Sequence, residues 1–287
     1  MSGCSSDCGS CSSDCSSRQE DFTAHLAPDS KVKHVYAVMS GKGGVGKSLV
    51  TSMLASAFAA KGNRVAILDA DITGPSIPKS FNIHRDQLMV TGGMDGDDTD
   101  ALLVPPVSTN GIRVISANLL VSNEDDPIIW RGSMIASAVK QFYSETFWDD
   151  IDYMFVDMPP GTGDVPLTVF QSLPVEGIIM VTSPQDLVSM IVGKAVNMAK
   201  QMDIPVMGVI ENMSCFECPD NGKRYNIFGD SHIDEVAHAY GLQVLAKLPI
   251  DPEVARMVDQ GKAAELDVSA MDEAVRVISA VAAFKKD

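Results

Sequence analysis

From Lys31 onward, short apolar runs alternate with stretches in which apolar residues recur at helical spacing. The runs predict strands near Val35–Met39, Val65–Leu68, Ile112–Ser116, Tyr153–Val156, Gly177–Val181, Val206–Ile210 and Val244–Leu248. They are apolar throughout rather than every second residue, so both faces of each strand are buried. Strands of that kind belong to a parallel sheet covered by helices on both sides. The expected class is therefore α/β, with a mostly parallel central sheet. One helix is expected after Ser183, with Ser183 as cap, Pro184 in the first turn, Asp186 as an acidic capping-box variant, and Leu187, Ile191 and Met198 near one face. The acidic, glycine-bearing stretch Thr91–Gly111, with Pro105 and Pro106, reads as a surface insertion or irregular hairpin. No internal repeat is visible. Residues 1–30, rich in Ser, Gly and Cys at their start, are expected to form a flexible tail, and residues 31–287 a single domain.

Composition narrows the function. The 287 residues carry 22 Lys+Arg against 38 Asp+Glu, a net charge of −16. Nucleic-acid coating needs clustered cations and is disfavoured. With 45% apolar residues there is ample material for a core. No apolar run reaches the roughly 18–20 residues of a membrane span, and the first 20 residues lack the basic start and apolar centre of a secretory signal. A cytoplasmic protein without membrane attachment is expected. In that compartment the six cysteines point to metal binding or redox chemistry rather than structural disulfides.

The sharpest motif is Gly41-Lys42-Gly43-Gly44-Val45-Gly46-Lys47-Ser48, which matches G-x-x-x-x-G-K-[ST] between an apolar strand and a helix. In such a P-loop, glycines let backbone N–H groups wrap a phosphate, and the helix N-terminus favours its charge. Lys47 neutralises the β- and γ-phosphates and the Ser48 hydroxyl ligates Mg²⁺. Asp157 ends the hydrophobic run from Tyr153 and can hold Mg²⁺ as a Walker B carboxylate. Asp69 and Asp71 follow the second strand at the carboxyl edge of the sheet, where α/β ligands bind. The chain is thus expected to be a P-loop NTPase.

Cys215-Phe216-Glu217-Cys218 is a C-x-x-C knuckle directly after the sixth strand. Two thiolates cannot complete a tetrahedral zinc site or a four-iron cluster, whereas two copies about a twofold axis can. Spacing alone leaves zinc, an iron–sulfur cluster and a redox disulfide open. Cys4, Cys8, Cys11 and Cys15 are enough thiols for a site within one chain, in a context that does not pre-organise them.

Lys42 makes a resemblance specific, because KGGVGKS is similar to the deviant Walker A loop of the MinD/ParA/nitrogenase-iron-protein class. Together with DADITGPSIP, IIWRG, DYMFVDMPPGTGD, VIENMSCFEC, and IFG followed by LPIDPEV, it resembles the Mrp-type iron–sulfur cluster carrier ATPases from about Val32 to about Leu266. The resemblance implies a homodimeric, slowly hydrolysing ATPase that carries a [4Fe-4S] cluster to acceptor apoproteins. In it Lys42 reaches the partner's nucleotide, Asp71 orients the attacking water, and Asp69 supports the Mg²⁺ shell. The loop Met158–Asp164 would sense the γ-phosphate, Asn212 would hydrogen-bond adenine while Pro249 packs on it, and Cys215 and Cys218 would bind the cluster. The sequence departs from the pattern at Leu49, where a Thr is usual, at Ser133, where a Pro is usual, and at Asp230-Ser231-His232, which replaces a glycine-rich stretch. His232 thereby becomes a candidate further ligand, against the commoner reading of a surface histidine. The tail cysteines do not match the spacing of the amino-terminal site of eukaryotic members. Two other functions within the class are a positioning role, as in MinD/ParA-like ATPases cycling on membrane or DNA, and ATP-driven electron donation. The first lacks a basic amphipathic helix and a basic face, and the second uses cluster cysteines far apart in sequence.

Overall fold

Successive residues of the first strand feed two separate cores. Val35, Ala37 and Met39 pack to one side with Ile135, Phe142, Val169 and Val192, while Tyr36 and Val38 pack to the other with Val50, Leu54, Phe58 and Ile278. This alternation is the pleat of a strand buried on both faces. The computed structural model describes residues 23–72, 74, 76–91, 101–120, 132–184 and 188–284.

In chain order the elements are β1 (Lys31–Ser40), α1 (Lys47–Ala60), β2 (Val65–Asp69), α2 (Ile77–Ser80), β3 (Met89–Thr91), β4 (Leu102–Val104), β5 (Arg113–Ser116), α3 (Gly132–Ser144), β6 (Asp150–Asp157) and α4 (Asp164–Ser172). There follow β7 (Gly177–Thr182), α5 (Val188–Gln201), β8 (Val206–Glu211), β9 (Phe216–Glu217), β10 (Arg224–Tyr225), α6 (Ile233–Tyr240), β11 (Val244–Lys247), α7 (Pro252–Asp259) and α8 (Asp272–Phe284). Seven strands form one parallel sheet in the order β11-β8-β7-β1-β6-β2-β5. These are the seven strands expected from the apolar runs, with ends shifted by a few residues. Helices α3 to α6 cover one face, and α1, α2 and α8 the other. Among the described residues no helix is long and apolar enough to cross a membrane.

Two local expectations need adjustment. The helix after β7 is described from Val188, and residues 185–187 just before it lie outside the described residues. Strand β7 continues to Thr182, whose carbonyl accepts the Asn212 N–H at 2.8 Å, and this holds the chain extended beyond the sheet. Ser183 and Pro184 are buried outside any helix, and Asp186 and Leu187 lie outside the described residues. The end of the expected tail is packed: Ala24 and Ala27 are buried, and the Ala24 N–H donates to the Ser172 carbonyl at 2.7 Å. The hairpin reading of the acidic insertion is borne out among the described residues, where β3 and β4 pair antiparallel with Thr91 opposite Leu102. Cys4, Cys8, Cys11 and Cys15 lie outside the described residues, as do Trp130 and Arg131.

Candidate functional site

The nucleotide side of the molecule is built at the carboxyl ends of β1, β2 and β6. The loop Gly41–Gly46 leaves β1 and opens α1, with Gly46 at the helix cap in a left-handed conformation, φ 78°. A side chain there would be excluded twice, because a Cβ at Gly46 would stand 2.2 Å from the Asn212 amide nitrogen. At the other end of the loop, a Cβ on Gly41 would stand 2.0 Å from Ile191 Cγ2, so α5 presses directly on the loop backbone.

Parallel register sets Asp69 beside Asp157. Lys47 Nζ lies 2.8 Å from Asp157 Oδ2 and 3.5 Å from Asp71 Oδ2. The Ser48 hydroxyl donates to the same Asp157 oxygen at 2.6 Å, and the Thr51 hydroxyl to Oδ1 at 2.7 Å. Asp157 is fully buried, yet both oxygens have partners and a cation stands against it, the condition under which a buried charge is tolerated. Asp69 is equally buried; its Oδ1 accepts the Asp71 N–H at 3.1 Å and its Oδ2 the Ser116 hydroxyl at 3.0 Å. Burial and then the neighbouring Asp157 charge push the Asp69 carboxyl up to about 8, against Lys47 and the Ser116 hydrogen bond, which pull it down. The loop after β6 folds back over the P-loop strand, with the Gly161 N–H donating to the Ser40 carbonyl at 2.8 Å. The structure therefore gathers Lys47, Ser48, Asp69, Asp71 and Asp157 at one edge. Lys42 is half-buried at the loop start, its carbonyl accepting the Ser40 hydroxyl at 3.0 Å.

Sequence reasoning missed Thr51 and Ser116. Thr51 stands one helical turn beyond Lys47 and Ser48, a spacing that puts it on their side of α1. Ser116 ends β5, the strand beside β2, and could be found only once the strand order was known.

The knuckle follows β8. Cys215 and Cys218 are half-buried free thiols around the two-residue strand β9, which pairs with β10. The Cys218 N–H donates to the Lys223 carbonyl at 3.0 Å, and the Cys218 carbonyl accepts the Gly222 N–H at 2.8 Å, closing the turn. Among the described residues no group of three or more His, Cys, Asp or Glu side chains could hold a metal ion. The His232 side chain is exposed, stands 3.7 Å from Glu235 one turn along α6, and does not join the cysteines in such a group. A cavity of about 550 Å³ lies between the knuckle and the turn into α7, walled by Phe216, Pro219, Pro249, Ile250 and Asp251. Asn212 is buried, and its amide is committed to the P-loop: Nδ2 donates to the Val45 carbonyl at 3.0 Å, while Oδ1 accepts the Met213 N–H at 2.9 Å.

Fold and loop together define a P-loop nucleotide-binding protein of MinD/ParA architecture. The family model described as the NUBPL iron-transfer P-loop NTPase (ParA) matches residues 31–283, and the chain belongs to that family. It is 45% identical over 234 residues to an iron–sulfur cluster carrier protein of Clostridium perfringens, covering 82% of each chain. Among solved structures it is similar to a nucleotide-binding protein of Archaeoglobus fulgidus in complex with ADP. The TM-score is 0.71 at 38% identity, covering 82% of this chain and 88% of that one. The MinD–MinC complex of Aquifex aeolicus matches with a TM-score of 0.60 at 16% identity, over 86% of this chain and 96% of that one, a likeness of fold alone.

Proposed function

We propose that this protein is a cytoplasmic iron–sulfur cluster carrier. It binds ATP with Mg²⁺, hydrolyses it slowly, and as a homodimer passes a [4Fe-4S] cluster from paired Cys215/Cys218 knuckles to acceptor apoproteins. The observation that carries this reading is a division of labour within one chain. A phosphate loop and its acidic partners are assembled in full, beside a knuckle offering two free thiols where a cluster wants four. The relatives' printed function and the family's description support the same reading.

At the nucleotide site, P-loop N–H groups and Lys47 would hold the phosphates. The hard oxygen donors Ser48 and Asp157, already in mutual contact, fit Mg²⁺, with Asp69 behind them. Asp71, beside Lys47 at the same edge, would orient the attacking water, and Lys42 of the second copy would complete the charge. Assembly of a partner lysine and a closing loop before reaction accounts for slow turnover. Asn212 and Pro249 would flank the base.

Anaerobic reconstitution with ferrous iron and sulfide tests the assignment. Wild type should take up about one four-iron cluster per dimer with brown absorbance. Substituting Cys215→Ala and Cys218→Ala together should abolish it, whereas a chain lacking residues 1–22 should keep it. Unchanged iron and sulfide in the double variant would overturn the knuckle as the cluster site. A strictly monomeric protein that retains the chromophore would overturn the shared cluster.

A further inference from the structure

The same residue that braces the phosphate loop begins the segment that carries the first cluster cysteine. Asn212 holds the Val45 carbonyl through Nδ2, and its amide nitrogen lies where a Gly46 Cβ would have to be. Between it and Cys215 stand Met213 and Ser214, and this short segment is pinned at each step. The Asn212 N–H donates to the Thr182 carbonyl at 2.8 Å, the Met213 N–H to Asn212 Oδ1, and the Ser214 N–H to the Leu248 carbonyl at 2.9 Å. The Cys215 carbonyl accepts the Ile250 N–H at 2.7 Å. Met213 has φ 60°, a left-handed conformation that a long side chain adopts only when its surroundings impose it. Its backbone is held there by the Asn212 side chain. The link from Val45 to Cys215 is thus a strap with little slack, and its far end is tied to the Leu248–Ile250 turn that walls the cavity beside Phe216.

We propose that Asn212 is a positioning residue that couples the phosphate loop to the cysteine knuckle, so that nucleotide on the loop lengthens the retention of the cluster. This rests on the function proposed above and adds the route between its two sites. When phosphate occupies the loop, the Val45–Gly46 backbone is fixed and its carbonyl with it. The Asn212 amide then has one preferred setting, and Cys215 inherits it through Met213. Ordering of the knuckle by the first ligand lowers the cost of holding the second. To the extent that nucleotide raises the equilibrium affinity for the cluster, linkage requires the loaded knuckle to tighten nucleotide binding by the same factor.

The test measures loss of the cluster's visible absorbance to an iron chelator, anaerobically, with and without a saturating non-hydrolysable ATP analogue, and measures analogue affinity for apo and cluster-loaded dimer. For wild type, the analogue should slow cluster loss by about fivefold or more, and loading should raise the analogue affinity. Asn212→Ala, at analogue concentrations raised to saturate it, should lose the response. Met213→Gly keeps the Asn212 side chain and slackens the strap; it should bind the analogue directly and show a cluster lifetime that no longer responds. Retention of the wild-type response by both variants would overturn the proposal, as would a cluster lifetime in wild type that ignores the analogue. Failure of the wild type to take up iron and sulfide at all would overturn the proposed function together with this inference, so the two failures are distinguishable.

Discussion

The phosphate loop and the cysteine knuckle are neighbours along one strap, yet they are built to opposite rules. Around the loop, Asp157 is fully buried, held by Lys47, Ser48 and Thr51, and Asp69 is held by Ser116 and the Asp71 N–H. Each carboxyl is placed by a strand end of the sheet and closed in by its neighbours. The knuckle hangs from a two-residue strand, its ion pair between Arg224 and Glu217 is exposed, and Tyr225, Ile227 and Phe228 beside it face solvent. The contrast teaches that one half of the chemistry is completed by folding, whereas the other is left open for what must be added. Substitutions should therefore cost stability at the loop and leave it nearly untouched at the knuckle.

The largest expected break is Lys47→Ala. It leaves Asp157 buried without its cation, a loss of about 3–5 kcal/mol by analogy with other buried pairs stripped of one partner. Nucleotide affinity should fall by roughly a hundredfold or more, because the charge opposite the phosphates is gone. Chemical denaturation and calorimetric titration measure the two effects. If stability holds near wild type, the acidic edge is less tightly closed than its distances imply.

Gly41→Ala comes next, since the added methyl would overlap Ile191 Cγ2 and α5 or the loop must give way. A cost of about 1–3 kcal/mol is expected, typical of forcing an extra carbon into a packed contact. The companion Ile191→Ala should relieve most of it in the double variant. Denaturation of the two singles and the double measures this as a coupling energy. Simple additivity would mean that the clash is absorbed elsewhere.

These residues also show how far the sequence could be read. The seven strands and the edge carrying Asp69, Asp71 and Asp157 follow from local pattern, because each strand is a short apolar run, Asp69 and Asp157 each end one, and Asp71 follows two residues after Asp69. The pairing of Asp69 with Ser116 depends on β5 lying beside β2, a matter of strand order that no local signal carries. The contact of the Asn212 side chain with the Val45 carbonyl spans 167 residues of sequence, and only the folded sheet brings the two together.

A smaller effect is expected at Glu211, which ends β8 between the two regions. Burial raises its carboxyl above the usual range, with Asp234 adding to the rise and Ser231, Lys247 and His232 opposing it. The folded state therefore holds a proton that the unfolded chain has already released, and this group's contribution to stability falls as pH rises through the window above the ordinary carboxylate value. Glu211→Gln keeps the shape without the charge. Its melting temperature should exceed wild type by roughly 2–4 °C at pH 8, with the gain shrinking as pH is lowered towards the ordinary carboxylate range. A gain that grows on acidification would reverse the sign of the argument.

The smallest effect separates the two regions most cleanly. Arg224 donates to Glu217 at 3.0 Å, but both side chains are more than half exposed, where water screens the pair and side-chain entropy offsets much of the attraction. Arg224→Ala should leave the melting temperature within measurement scatter, unlike the two loop variants. Because β10 is only two residues long and its partner β9 lies between the cysteines, the same change should still loosen the hairpin locally. Faster hydrogen exchange at the Cys218 N–H, with the amides of β1 and β6 unchanged, is the expected signature. Protection lost equally at the sheet and the knuckle would mean that the knuckle opens only when the whole domain does, and the two regions would then be one cooperative unit.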